Sequence, residues 1–281
     1  AVHHAEELVM SPVRKPHLAL LLLVALTSLF FAGIAVAQDD THPVPHWDYE
    51  GEAGPDHWGD LSDQFALCST GTEQSPIDIL APASENLTDI QFSYQPSDLT
   101  IKNNGHTVQV DYAPGSTITV EGTEYSLFQF HFHHPSEHSI EGVVYPLELH
   151  LVHADAEGNL AVVGVLIKEG SSDNAAFASV FDNLPTEAGE PHLIDGATVS
   201  AADLLPVERQ FYTYSGSLTT PPCSEGVRWL LLTTPVTLSP AQIARFTAIF
   251  ELDARPIQPL GERGVVVDSS ADSSADSSAD S

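Results

Sequence analysis

Three histidines in two short apolar stretches have the spacing expected of a metal site. Residues 129–133 read QFHFH, and residues 148–150, further along the chain, read ELH. Side chains along a β-strand alternate between its two faces, so His131 and His133 share one face. If the two stretches are neighbouring strands, these two imidazoles and that of His150 converge on one point. Three histidines that leave a fourth position open for water are the ligand set of a catalytic zinc site.

An isolated His-x-His pair is more often a hydrogen-bonded core or surface feature than a metal site. The carboxylate two residues before the third histidine favours the metal interpretation, because metal-bound imidazoles usually donate their other N–H to a carboxylate, carbonyl or amide. Gln129 and Glu148 are the candidates for that role. His134, His138 and His153 are weaker ligand candidates, since His134 and His153 face away from the others by strand alternation.

Three neutral imidazole ligands leave the full positive charge on a zinc ion, which lowers the pKa of bound water towards about 7. The product is hydroxide near neutral pH, a nucleophile suited to a small uncharged electrophile. The spacing of the histidines does not choose among carbon dioxide, an ester and a peptide.

The motifs around these histidines resemble those of the alpha-class carbonic anhydrases, in particular the exported bacterial type. They lie between about residue 46 and about residue 262, and although each alone is weak, together they are specific. The resemblance implies reversible hydration of carbon dioxide to bicarbonate and a proton, by attack of zinc-bound hydroxide with histidine proton shuttling. In chain order the motifs are 74–79 (QSPIDI), 103–106 (NNGH), 129–133 (QFHFH), 136–138 (SEH), 148–153 (ELHLVH) and 217–222 (SLTTPP).

The resemblance also assigns a hydrogen-bond relay that orients the nucleophile. The Thr219 hydroxyl accepts the hydrogen of the hydroxide and donates its own to ionised Glu137, and the Thr219 N–H with Thr220 faces the product. Taken singly, Thr219 could be a turn residue before Pro-Pro and Glu137 a surface carboxylate.

Carbon dioxide is apolar and needs an apolar wall beside the metal. Val152, Val162, Leu218 and Trp229 match the family's positions for that wall, although composition alone would assign them to ordinary core. Val152 shares the strand parity of His150, so it can face the same cavity.

Each turnover releases a proton, and a histidine with a pKa near neutrality is the usual relay. By resemblance His106 is that shuttle, with Tyr49, Asn104 and Gln109 ordering the connecting waters. Gln109 stands where many members have Asn. Without the resemblance, His106 would equally be an exposed turn histidine.

Short alternating runs separated by Pro, Gly and Asn-Gly signals dominate the chain, and helical patterns are sparse. Besides the two histidine stretches, the predicted strands are 90–94, 99–102, 107–112, 117–120, 160–168 and 227–232. The sequence therefore predicts a mostly β, α+β protein: a single domain with a large, mainly antiparallel twisted sheet and a few short peripheral helices. The best helices are 175–184 and 240–250, the latter with Ser239 as N-cap and Pro240 in its first turn. By resemblance, the Ser75-Pro76 and Pro221-Pro222 bonds are cis.

Residues 1–37 are predicted to be a leader and cleaved signal peptide, with an uncleaved anchor as the alternative. Residues 38–45 are predicted to be a linker, 46–264 the carbonic anhydrase domain and 265–281 a disordered acidic tail. The mature protein would then be periplasmic or extracellular, without stable membrane insertion. Cys68 and Cys223 are the only cysteines. In an exported protein such a pair predicts one disulfide, with free thiols as the alternative.

The net charge of −30, with only nine Lys and Arg residues, excludes nucleic acid and anionic membranes as partners. Such a charge fits either adaptation to salt or simply an exported protein with an acidic tail. The expected partners are carbon dioxide and bicarbonate, and the resemblance leaves a homodimer open. The rival functions are a non-catalytic carbonic-anhydrase-like binding module, which would lack zinc histidines, and a zinc esterase.

Overall fold

The structure, a computed structural model, describes residues 45–270, which form one compact unit dominated by β-strands. The predicted signal peptide and most of the linker and acidic tail lie outside the described residues. Among the residues described, no helix combines the length and apolar composition needed to cross a membrane. The strands are β1 Asp78–Ile79, β2 Ala83–Glu85, β3 Gln91–Ser93, β4 Ser97–Asn103, β5 Val108–Asp111, β6 Thr117–Val120, β7 Thr123–His133, β8 Ser139–Ile140, β9 Val143–Val144, β10 Leu147–Ala154, β11 Leu160–Glu169, β12 His192–Val199, β13 Phe211–Ser217, β14 Glu225–Leu238 and β15 Val266–Asp268.

The helices are short and peripheral. The predicted helix at 175–184 is a 3-10 turn, Ala175–Phe177, that continues as one α-helical turn. The predicted helix from Pro240 ends at Thr247 and begins with a capping box, in which Ser239 and Gln242 satisfy each other's backbone N–H groups. The α-helices are α1 Trp58–Leu61, α2 Leu67–Thr70, α3 Ala178–Phe181 and α4 Pro240–Thr247.

Most strands belong to one large twisted sheet, as predicted. Its order is β12-β4-β5-β7-β10-β11-β14-β13-β15-β2, with β6 pairing β7 and β3 pairing β6. Its ladders are antiparallel except for β11 with β14 and β15 with β2. A small second sheet contains β1, β8 and β9. The prediction of a mostly β fold with a large, mainly antiparallel sheet is therefore confirmed.

The two histidine stretches are neighbouring antiparallel strands at the middle of the sheet. In the register of β7 and β10, His131 lies opposite His150, and His133 lies opposite Glu148. Phe130 and Phe132 point to the other face, where both are fully buried in the main hydrophobic core. Strand alternation thus places apolar rings on one face and imidazoles on the other.

The boundary predicted for the acidic tail at residue 265 is too early. Val266–Asp268 forms β15, which pairs with β13 on one side and β2 on the other. Val265 is buried, and the Asp268 carboxylate accepts the N–H of Leu87. Two apolar valines and a ladder of backbone hydrogen bonds make this segment part of the sheet, despite the acidic composition that follows it.

The Ser75-Pro76 and Pro221-Pro222 bonds are cis, as predicted, and the structure adds a third cis bond at His134-Pro135. The hydrophobic pattern predicts no strand at Phe211–Ser217 or His192–Val199. Both belong to the large sheet.

Candidate metal centre

The three predicted ligands, His131, His133 and His150, come together at the sheet. One nitrogen of each ring lies within 4.8 Å of the corresponding nitrogens of the other two. The Nε2 atom of His133 is buried and has no hydrogen-bond partner among the described residues. A buried polar atom without a partner is costly unless a ligand satisfies it. The donor set and this unpartnered nitrogen both fit a tetrahedral metal ion.

The opposite nitrogen of each ring is already engaged. The Nδ1 atom of His131 lies 2.8 Å from Oε1 of Gln129, and the Nε2 atom of His150 lies 2.9 Å from Oε1 of Glu148. These hydrogen bonds leave Nε2 of His131 and Nδ1 of His150 for a metal. Gln129 and Glu148, the two residues predicted to support the histidines, thus each contact one of the rings.

His133 is held by a backbone carbonyl rather than by a side chain. Its Nδ1–H donates to the backbone carbonyl of Asp253 at 2.6 Å, across 120 residues of chain. The Asp253 carboxylate accepts the N–H of His134, and burial raises the pKa of Asp253 well above its usual value. The contact to His133 uses a backbone carbonyl, so it does not depend on which side chain stands at position 253.

Burial keeps the three imidazoles in their neutral, metal-binding form. It lowers the pKa of His133 to about 4. It also lowers the pKa of His131 and His150, and the proximity of the rings to one another acts in the same direction.

Glu137 is buried beside the histidines. Its Oε1 accepts the N–H of Arg255 at 2.8 Å. Its Oε2 has no hydrogen-bond partner within residues 45–270 and lies 3.4 Å from Nε2 of His133 and 3.8 Å from Nδ1 of His150. Burial raises the pKa of Glu137 to about 7, against the lowering influence of His150, the Arg255 N–H and the Thr219 hydroxyl. One carboxylate oxygen thus lies close to two of the three nitrogens available to a metal.

A cavity of about 280 Å³ opens onto His131 and His150. It contains all six residues predicted to contact substrate. Phe128 and Leu160 also line it and were not predicted. Phe128 lies where the register of β7 against β10 shifts, and this irregularity leaves its side chain 45% exposed at the cavity. The full lining is Phe128, Gln129, His131, His150, Val152, Leu160, Val162, Leu218, Thr219, Thr220 and Trp229.

The predicted shuttle, His106, lies in the turn after β4 and is half-buried. Its ring stacks on Trp47, with centroids 3.6 Å apart and planes 9° from parallel. Asn104 accepts the backbone N–H of His106 at 2.9 Å, and its side-chain amide points to Gln109 at 3.5 Å. Burial lowers the pKa of His106, partly offset by Asp48.

Tyr49, predicted to help order the connecting waters, is not among the residues that line the histidine cavity. It lines a different cavity of about 410 Å³ together with Glu137 and Arg255. Its hydroxyl is buried with no hydrogen-bond partner in the described part of the chain. Burial raises the pKa of Tyr49 well above its usual value, and the charge of Glu137 adds to this. Tyr49 packs edge-on against Trp47 and Trp58.

The second group with metal-ligand geometry, His138, Glu148 and His150, is internally hydrogen-bonded. Glu148 Oε1 lies 2.7 Å from Nδ1 of His138 and 2.9 Å from Nε2 of His150. Burial opposes the ionisation of Glu148, yet the two imidazoles hold the pKa of this carboxyl well below its usual range. These atoms satisfy one another, so the group supports the first cluster rather than forming a second site.

The Cys68–Cys223 disulfide is present, with Cα atoms 5.0 Å apart. It joins α2 to the loop that carries Thr219 and Thr220. The N–H of Cys223 donates to the carbonyl of Thr220 at 2.8 Å, which ties the cavity loop to the bridge.

The comparisons with known proteins agree with this geometry. The family described as eukaryotic-type carbonic anhydrase matches residues 53–269. A carbonic anhydrase of a Nostoc species is 45% identical over 228 residues, which cover 79% of this chain and 85% of that protein. One from Neisseria gonorrhoeae is 42% identical, covering 91% of this chain and 98% of the relative.

Among solved structures, the alpha-carbonic anhydrase of Thermovibrio ammonificans, in complex with the inhibitor sulfanilamide, superposes with a TM-score of 0.76. It is 43% identical, and the match covers 79% of this chain and 99% of that one. The family match, the curated relatives and this superposition all cover the part of the chain that holds the histidine cluster and its cavity. The chain therefore belongs to the alpha-class, or eukaryotic-type, carbonic anhydrase family of enzymes.

Proposed function

We propose that this carbonic anhydrase interconverts carbon dioxide and bicarbonate at a Zn²⁺ ion held by His131, His133 and His150. The observation that carries the proposal is the convergence of three ring nitrogens, one of them buried and unpartnered, at the end of a largely apolar cavity. A non-catalytic binding module is disfavoured, because the chain has all three histidines and their ring nitrogens lie close together. No feature of the cavity specifically favours esters.

Nε2 of His131, Nε2 of His133 and Nδ1 of His150 would hold the ion. Bound there, zinc supplies a Lewis acid that makes water nucleophilic near neutral pH and favours the ionised form of nearby carboxylates. Gln129, Glu148 and the Asp253 carbonyl fix the orientation of the three rings by engaging their other nitrogens.

Thr219 and Glu137 orient the nucleophile in this proposal. The free Oε2 of Glu137 accepts the Thr219 hydroxyl hydrogen, so the Thr219 oxygen acts only as an acceptor towards the nucleophile. The Arg255 N–H holds the other carboxylate oxygen in place. The nucleophile therefore presents a lone pair rather than a hydrogen to the carbon atom.

The apolar part of the cavity binds carbon dioxide. The side chains that line it offer water no favourable hydrogen bond. They are Val152, Val162, Leu218 and Trp229. Thr220 and the Thr219 N–H, which line the same cavity, bind the negatively charged product.

His106 carries the proton between the cavity and solvent. Its half-buried ring stacks on Trp47, and its backbone N–H donates to Asn104, whose side-chain amide points to Gln109. Tyr49 remains a candidate for ordering water on this route. Its unpartnered hydroxyl supports that role.

We also propose that the mature protein is exported. The disulfide supports an oxidising compartment, where such bonds form and persist.

Metal analysis of the purified protein combined with stopped-flow carbon dioxide hydration tests the proposed function. We expect one equivalent of zinc per chain and a hydration rate that disappears on chelation and returns with Zn²⁺. A His133→Ala variant should lose both zinc and activity, whereas His192→Ala, which alters an exposed histidine, should lose neither. Fully metallated protein that leaves hydration at the spontaneous rate would overturn the proposal.

A further inference from the structure

A chain of buried hydrogen bonds connects the metal ligand His150 to the loop that carries Thr219. From His150 it passes through Glu148 to His138. Nε2 of His138 lies 2.6 Å from the Tyr214 hydroxyl, which lies 2.9 Å from the Ser75 hydroxyl. His138, Tyr214 and Ser75 are buried.

The far end of this chain is anchored to Ser217, two residues before Thr219. The N–H of Ser217 donates to the Ser75 hydroxyl at 3.0 Å, and the N–H of Ser75 donates to the Ser217 hydroxyl at 2.9 Å. Gly216 permits this approach, because a Cβ atom there would lie 2.2 Å from Oγ of Ser75.

The two ends determine the direction of every hydrogen bond between them. The backbone N–H of Ser217 can only donate, and an ionised Glu148 can only accept. Between them the Ser75 hydroxyl donates to Tyr214 and the Tyr214 hydroxyl donates to Nε2 of His138. The opposite direction would leave the Ser75 hydrogen without an acceptor within residues 45–270 and would place a second proton on His138.

This direction leaves one tautomer for each imidazole. His138 is neutral with its proton on Nδ1, which donates to Glu148. His150 carries its proton on Nε2, which donates to the same carboxylate oxygen, so Nδ1 of His150 presents its lone pair to the metal.

We propose that Tyr214 and Ser75 are positioning residues for the zinc site, which act through His138 and Glu148 to fix the tautomer and orientation of His150. The proposal rests on the proposed function, since it concerns the same zinc ion. It assigns to two residues outside the cavity a measurable part of zinc affinity, and it couples the metal ligand to the loop of Thr219.

The test compares Tyr214→Phe with Tyr212→Phe in the full chain. Tyr212 lies on the same face of β13, is half-buried and makes no hydrogen bond through its hydroxyl among the described residues. Zinc affinity is measured by competition with a chelator. Tyr214→Phe should raise the dissociation constant for Zn²⁺ about tenfold, the lower end of the range for groups that support metal ligands. Tyr212→Phe should change it less than twofold.

Ser75→Ala interrupts the chain one link further away and should raise the same dissociation constant by about threefold, less than Tyr214→Phe because it acts through one more bond. The double variant Ser75→Ala/Tyr214→Phe should bind zinc no more weakly than Tyr214→Phe alone, because both remove the same chain. Effects that simply add would show that the two hydroxyls act independently and would overturn the proposal.

Nitrogen NMR of the unmodified, zinc-loaded protein provides a readout that does not depend on how any variant folds. The ¹⁵N signals of His138 should show Nδ1 protonated and Nε2 unprotonated. A protonated Nε2, or unchanged zinc affinity in Tyr214→Phe, would overturn the proposal. If instead the unmodified protein bound no zinc, the proposed function itself would fail, and the two failures are therefore distinguishable.

Discussion

Thr219 and the carboxylate beside it give the most direct test of nucleophile orientation. Thr219→Ala removes the hydroxyl and should lower kcat/KM about 100-fold, because the nucleophile loses the acceptor that orients it. Thr219→Ser keeps the hydroxyl and should retain a large part of the activity. Stopped-flow hydration measures both, with zinc content as the control. Equal rates in the two variants would show that the Thr219 hydroxyl has no role in orientation.

His106 should affect proton transfer but not the attack on carbon dioxide. His106→Ala should lower kcat about 100-fold in weak buffer, while kcat/KM stays the same, since proton release follows the chemical step. Added imidazole should restore most of the loss by replacing the missing relay. A kcat that does not fall in weak buffer would exclude His106 as the shuttle.

His153 lies on the opposite face of β10 from His150 and should affect stability at acid pH. Its Nε2 lies 2.8 Å from the Tyr94 hydroxyl, and burial lowers the pKa of His153 to about 4. The unfolded chain protonates this residue near pH 6.5, whereas the folded chain resists protonation until about pH 4. The contribution of neutral His153 to the free energy of unfolding is therefore fully present above pH 6.5 and is lost as the pH falls towards 4.

Urea unfolding at pH 7 and pH 4.5 measures this contribution. His153→Gln cannot be protonated, so the stability it loses between the two pH values should be about 2 to 3 kcal/mol smaller than for the unmodified protein. Any contribution of His131, His133 and His150 to the pH dependence is the same in both proteins and cancels in the comparison. His192→Gln, at an exposed histidine, is the control and should leave the difference unchanged. An equal effect of both variants would contradict the assignment to His153.

Some of the site could be predicted at this scale and some could not. Strand alternation brings His131, His133 and His150 together because all three lie on adjacent strands. The carbonyl that supports His133 belongs to Asp253, 120 residues away and outside any regular pattern. His138 follows β7 in the chain and is a hydrogen-bond partner of Glu148. Its second partner, Tyr214, could not be predicted, because only the folded sheet places Tyr214 beside it.

At the scale of elements, the predicted strands agree with the structure where the alternation between buried and exposed side chains is clear, as in β4, β5, β6 and β7. β12 was missed because it is largely exposed and its alternation is weak. Segment ends were less predictable than segments: α4 ends at Thr247 rather than at Phe250. The acidic composition near the end of the chain concealed β15, whose pairing depends on a distant strand.

Gly164 in β11 is where packing between strands meets the metal site. It lies opposite His150 in the ladder, and a Cβ there would lie 2.6 Å from Cδ1 of Leu231 and 3.2 Å from Oε1 of Glu148. Gly164→Ala should therefore destabilise the fold by about 1 to 3 kcal/mol through overpacking. It should also weaken zinc binding about tenfold by displacing Glu148.

Urea unfolding and chelator competition measure the two effects of Gly164→Ala separately. Gly189→Ala is the control, because nothing lies within 4 Å of the Cβ it would add. We expect that control to change neither quantity appreciably. Loss of stability without loss of zinc affinity in Gly164→Ala would mean that Leu231, and not Glu148, absorbs the added methyl group.

At the scale of the whole molecule, one sheet and one disulfide connect distant parts of the chain to a single cavity. Cys68 lies in the N-terminal aromatic cluster with Trp58, while Cys223 lies in the loop after Thr219. The buried Arg255 joins the same regions, since its guanidinium donates to the carbonyl of Cys68 and to Oε1 of Gln74. Parts of the sequence that carry no catalytic residue are therefore needed to keep the cavity loop in place.

The net charge of −30 should make stability depend on ionic strength. With nine Lys and Arg residues, few carboxylates have a cationic partner, and pairs such as Arg228 with Glu121 lie at the exposed surface, where they contribute little. Mutual repulsion therefore opposes the compact state, and it is screened as the Debye length falls from about 30 Å at 0.01 M salt to about 3 Å at 1 M.

The melting temperature should rise with sodium chloride, with most of the increase at the lower concentrations. Differential scanning calorimetry of the zinc-loaded protein measures this, with sucrose as an uncharged control for general solvent effects. A melting temperature that stays constant from 0.01 to 1 M salt would show that the acidic residues are spaced widely enough not to repel one another in the folded chain.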